Sequence, residues 1–137
     1  MRFRELALVL GLAWAFAPAA SAIDWSAHAD EDVVHVVTTD EDGASRTTKV
    51  WIVVVGGEAY IRTGGTRWGK NVERSQDVRI LAEGGEYDLR VEFLTDEAAR
   101  APIIQAFRDK YGWSDRMLSV FRGAAPKIMR LVPRGGA

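Results

Sequence analysis

Residues 49–78 read KVWIVVVGGEAYIRTGGTRWGKNVERSQDV, and three local signals follow one another along them. Val50 to Val55 is an unbroken apolar run of strand length, rich in β-branched residues, which predicts a strand covered on both faces. Gly56-Gly57 supplies the positive φ angles of a two-residue hairpin loop, and Tyr60 and Ile61 continue the return strand. Arg62, Thr63, Gly64, Gly65, Thr66, Arg67 and Lys70 then fall around one strand-to-helix turn. Cations, hydroxyls and exposed backbone N–H groups gathered at such a turn suit a phosphate. A solvated loop, with glycines for the bend and charges for solubility, would show the same composition.

Working outward, Asp77 to Ala82 and Tyr87 to Leu94 predict a second hairpin around Glu83-Gly84-Gly85-Glu86. Tyr87, Leu89, Val91 and Phe93 alternate with Asp88, Arg90 and Glu92, so one face is buried and the other wet. Upstream, Val33 to Thr38 is a strand candidate followed by the turn Asp40-Glu41-Asp42-Gly43. Five or six strands with glycine turns between neighbours point to a mainly β fold, a small closed six-stranded barrel with short helices packed outside.

Asp96 is a plausible N-cap for a helix reaching Tyr111, with Ala99, Ile103, Ala106 and Phe107 repeating at three- and four-residue steps and Gly112 as the stop. Pro102 conflicts with this pattern: either the helix begins near Ala101 or its first turn is bent. Trp113, Met117, Leu118 and Phe121 share one face of a second short helix ended by Pro126. That face suits packing on the barrel, a ligand-facing lid or a dimer contact. Lys127 to Val132 reads as a closing strand before a disordered Arg-Gly-Gly-Ala end.

The first 22 residues stand outside the fold. Arg2 and Arg4, the apolar run Leu6 to Phe16 and the small residues Ala20-Ser21-Ala22 have the form of a cleavable signal peptide too short to span a bilayer. The expected location is periplasmic or secreted, with 115 of the 137 residues remaining. Ile23 to Asp32 forms a lead-in with Trp25 as its anchor, and residues 33–134 form one domain. Losing two arginines and one glutamate takes the formal charge from −1 to −2, which argues against general nucleic-acid binding. No cysteine is present, so disulfides, thiolate nucleophiles and zinc–cysteine sites are excluded. His28 and His35 have no spaced metal-ligand partners, the DEDG turn lacks the rest of a calcium loop, and no Gly-x-Ser-x-Gly elbow occurs.

Over residues 33–94 the order of these features resembles the FMN-binding split-barrel superfamily, which includes pyridoxamine-phosphate oxidases, deazaflavin-dependent nitroreductases and small uncharacterised families. The matching features are a cation before the long strand (Arg46 or Lys49), the hairpin, and YIRTGGTRWGKNVERSQDVRI for the family's aromatic strand, Ser/Thr-Arg-Lys turn, short helix and following strand. In this chain Arg67 is followed by Trp68, and the lysine comes later at Lys70. The resemblance implies a homodimer and an FMN or deazaflavin coenzyme. Arg46, Lys49, Arg62, Thr63, Arg67 and Lys70 would grip the phosphate, and Trp51, Tyr60 or Trp68 would flank the ring system. Hydride transfer on the coenzyme would need no side-chain acid or base. The other class left open is a cofactor-free exported barrel serving as a binding or structural module.

Overall fold

The structure is a computed structural model and describes residues 23–112 and 126–134. The expected signal peptide, the helix expected over Trp113–Phe121 and the last three residues lie outside the described residues. Six strands, β1 (Val33–Thr39), β2 (Ser45–Val55), β3 (Glu58–Thr63), β4 (Asp77–Ala82), β5 (Gly85–Leu94) and β6 (Lys127–Pro133), close into a barrel in the order β1-β2-β3-β6-β5-β4. Every neighbouring pair is antiparallel. Helix α1 (Arg67–Arg74) joins β3 to β4, and helix α2 (Glu97–Tyr111) follows β5. A 3-10 turn over Trp25–His28 precedes the barrel. No described helix is long and apolar enough to cross a membrane.

The long apolar strand is longer than its apolar run, and it changes partner midway. Ser45 to Trp51 pair with β1, ending at Val33↔Trp51, whereas Ile52 to Val55 pair with β3. Arg46 and Lys49 are therefore inside β2 and not ahead of it. The Gly56-Gly57 loop has φ of 60° and 81°, the two positive angles of a type I′ turn, which matches the twist of the flanking strands. The β4–β5 turn is tighter than expected: Ala82 pairs with Gly85, leaving only Glu83-Gly84 as the loop.

Alternation along the strands gives two cores. Inside the barrel, residues such as Val36, Ile52, Ile61, Ile80, Leu89 and Met129 meet Trp25, Trp68 and Val72. Outside it, α2 lays Ile103 and Phe107 over Val53, Tyr60 and Ile128. That second core is why Val50 to Val55 has both faces covered. Ala99, expected on the packing face, is exposed. Helix α2 starts at Glu97 with Pro102 inside it; the Asp96 carboxylate accepts the Ala99 N–H at 3.0 Å, and Gly112 ends the helix at φ 72°. The alternative start near Ala101 is therefore wrong, because the cap holds the first turn ahead of the proline. Arg134 is also ordered, donating to the carbonyls of Val78 (2.7 Å) and Leu89 (3.3 Å).

Candidate ligand-binding site

Helix α1 is started by Thr66, whose Oγ1 accepts the Gly69 N–H at 3.1 Å. The Thr63 and Thr66 hydroxyls lie 2.5 Å apart, and a Cβ on Gly69 would come within 3.0 Å of both side chains. Glycine at this position is what lets the end of β3 and the start of α1 share one hydroxyl pair. The helical period then separates the side chains of α1: Trp68 and Val72 enter the barrel core, whereas Arg67 and Lys70 are exposed.

A pocket of about 200 Å³ opens where β2 passes from β1 to β3, lined by Lys49, Val50, Trp51, Arg62, Thr63, Gly64, Thr66 and Trp68. Arg62 is only 7% exposed. Its guanidinium carbon lies 5.2 Å from the Trp51 ring centroid and 4.9 Å from that of Phe107, within cation–π range of both. Burial pushes the Arg62 pKa down from its ordinary value, and the nearby Tyr111 opposes that shift. Tyr111 stacks on Trp51 with centroids 4.2 Å apart and planes 2° from parallel, and burial pushes its hydroxyl up to about 12. The pocket thus presents two cations, two hydroxyls and two indole rings, a donor set suited to an anionic ligand with a planar part.

A second opening, of about 480 Å³, separates the β1–β2 turn from α1, with Asp40, Glu41 and Asp42 on one side and Arg67, Lys70, Asn71 and Arg74 on the other. Part of this set is committed internally. Asp40 takes Arg46 Nε at 2.8 Å, Arg46 Nη2 at 3.0 Å and Asn71 Nδ2 at 2.8 Å. The Arg46 and Asn71 hydrogen bonds hold the Asp40 carboxyl down to about 2. Arg74 donates to the Thr39 carbonyl at 2.7 Å.

The nine residues expected to hold a coenzyme are therefore divided. Lys49, Trp51, Arg62, Thr63 and Trp68 meet at the smaller pocket, and Arg67 and Lys70 line the larger cleft. Arg46 is paired with Asp40, and Tyr60 is buried beneath α2, lining neither opening. Burial pushes the Tyr60 hydroxyl up. Thr66 borders the pocket and Arg67, next in sequence, lines the cleft, so the two openings flank the first turn of α1.

Two groups of residues carry no signal in the sequence. At the end of α2, Lys110 Nζ donates to the carbonyls of Ala29 (3.1 Å), Glu31 and Ile52 (2.9 Å). Near the 3-10 turn, buried His28 bridges the Glu31 carboxylate and the Tyr87 hydroxyl (2.8 Å), with the Trp25 ring packed edge-on against both rings. Each group joins segments more than 50 residues apart, a relation local spacing does not reveal. Among the described residues no group of three His, Asp or Glu side chains could hold a metal.

Residues 25–131 match a family described as "Uncharacterized protein conserved in bacteria (DUF2255)". None of the curated proteins matches the chain. Among solved structures, similar folds include the heme storage protein HutZ from Vibrio cholerae, with 12% identity, TM-score 0.64, and 77% of this chain and 83% of that one covered. An F420 reductase shows 15% identity, TM-score 0.60, and coverage of 81% and 93%. A FAD-binding protein from Mesorhizobium loti shows 13% identity, TM-score 0.57, and coverage of 83% and 90%. At these identities the likeness is one of fold: the chain is a split barrel, as the resemblance implied.

Proposed function

The chain belongs to the DUF2255 family of bacterial proteins, and we propose that it binds a flavin or deazaflavin coenzyme across the first turn of α1. The observation that carries this reading is the pocket in which Lys49, Arg62 and Thr63 stand beside Trp51 and Trp68. Arg67 and Lys70, which line the cleft on the other side of the same turn, would take the phosphate of a coenzyme that extends beyond the pocket. The likeness to an F420 reductase and a FAD-binding protein supports a flavin-type ligand. Such a coenzyme supplies hydride transfer itself, and the chain's own residues would orient it and offset its negative charge. Export as the 115 residues after the signal peptide, and a homodimer in which a second copy closes the pocket, belong to the same proposal.

A second reading, a cofactor-free binding module, is favoured by one feature of the pocket. The pocket's volume of about 200 Å³ falls below the ~300–1,000 Å³ of common ligand sites. Titration of residues 23–137 with FMN, a deazaflavin and hemin, followed by fluorescence or absorbance and by Tm, separates the readings. The coenzyme reading expects FMN or the deazaflavin to bind and Lys49→Ala to weaken it at least tenfold, consistent with a charge-assisted hydrogen bond worth about 1.5–3 kcal/mol. Arg67→Ala tests the phosphate end in the same way. Failure of the folded parent to bind either coenzyme leaves the cofactor-free module as the account.

A further inference from the structure

We propose that Tyr111, which does not line the pocket, is a positioning residue that sets the Trp51–Arg62 wall of the pocket from behind. The β1–β2 ladder ends at Val33↔Trp51, so the backbone of Ile52 is the first to lack a rung on that side. The Tyr111 hydroxyl occupies that place. It accepts the Ile52 N–H at 3.0 Å and shares its proton between the carbonyls of Asp32 (2.7 Å) and Ile52 (2.8 Å). Lys110, the preceding residue, reinforces the clamp through the Ile52 carbonyl.

A ring fixed at its hydroxyl end has little freedom to tilt, and this one lies within 2° of parallel to Trp51. Trp51 in turn faces the Arg62 guanidinium, which also lies over the Phe107 ring. Tyr111 and Phe107 both come from α2, one helical turn apart, with ring centroids 6.1 Å from each other. The same helix therefore holds an indole and a desolvated guanidinium in one arrangement before any ligand arrives. Preorganisation of this kind raises affinity by reducing the ordering cost of binding. Two side chains that line the pocket take their geometry from a hydroxyl bonded to the backbone of the next residue along β2.

The ligand part of this inference rests on the coenzyme reading; the geometric part does not. NMR of the Arg62 Nε–Hε group reports its place between aromatic rings without any ligand, because ring currents shift that proton upfield. In Tyr111→Leu the Arg62 proton should move back toward the range of exposed arginines, and FMN or deazaflavin affinity should fall at least tenfold. Tyr111→Phe keeps the stack and loses the clamp, so it should give a smaller shift and a smaller loss. Ile103→Val, a change in the same helix outside the Tyr111 stack, should lower Tm while leaving both readouts in place. An unchanged Arg62 resonance in Tyr111→Leu overturns the proposal, as does an equal response from Ile103→Val at equal loss of Tm. A folded parent that binds no coenzyme overturns the coenzyme reading, and the Arg62 resonance then decides the positioning role alone.

Discussion

Gly85 and Asp40 show how much one position can carry in this barrel. A Cβ on Gly85 would lie 2.5 Å from the Tyr87 hydroxyl oxygen and 2.7 Å from its Cζ, and the Tyr87 ring is packed against Trp25 and His28. Gly85→Ala should therefore displace Tyr87, break its contact with His28 and destabilise by about 1–3 kcal/mol in urea unfolding, the usual scale of overpacking. Asp40 makes a prediction about pH. Its folded pKa of about 2 is below the ordinary 3.8, so the stability it contributes is present above the ordinary value and is lost as pH falls through about 2. Asp40→Asn should melt below the parent at neutral pH, and the two Tm curves should converge on acidification toward pH 2. Neither role was legible beforehand. Gly85 reads as a turn glycine, yet it lies in β5 with its side clear for a ring two residues on. Arg46 reads as a phosphate ligand, yet it is held by a carboxylate six residues away across the β1–β2 turn.

Elements were more legible than residues wherever burial alternates cleanly. Tyr87, Leu89, Val91 and Phe93 face inward along β5 as their spacing predicts, and the Gly56-Gly57 turn takes the required positive angles. Helix α2 shows what spacing alone cannot weigh. Pro102 removes one helical N–H, but the Asp96 cap and the packing of Ile103 and Phe107 hold the turns on either side of it. Pro102 is itself exposed, so Pro102→Ala should restore the bond to the Ala98 carbonyl without loss of packing. A gain of about 1–2 kcal/mol in chemical denaturation is expected, less than the full helix penalty because the proline also restricts the unfolded chain. Helix α1 divided the candidate site for an equally simple reason: consecutive residues at 100° intervals cannot all face one ligand, so Trp68 and Arg67 point to different places.

At the scale of the whole molecule, the barrel and its strand count followed from strand number and glycine turns, and the split-barrel identity from their order. The partner exchange along β2 did not, because an apolar run records burial and not which strand provides it. Assembly is the remaining question at this scale. Among the described residues Val33, at 39%, is the large hydrophobic side chain left exposed. The apolar surface expected to form a dimer contact, Trp113, Met117, Leu118 and Phe121, belongs to the residues outside the description. Light scattering of residues 23–137 should give about twice the monomer mass. Replacing Met117 and Phe121 with serine should return it to the monomer value with the barrel intact by circular dichroism.

The closure of the barrel also sets an order of events in time. β6 lies between β3 and β5, and its pairing joins Ile61 to Met129 across more than sixty positions. Until that segment has left the ribosome, β3 and β5 both present bare edges, and no amount of local order upstream can join them. The barrel is thus kept from closing until β6 has emerged. Stalling translation just after Gly112 should leave a chain that protease digests readily, and stalling once β6 is exposed should yield a resistant one.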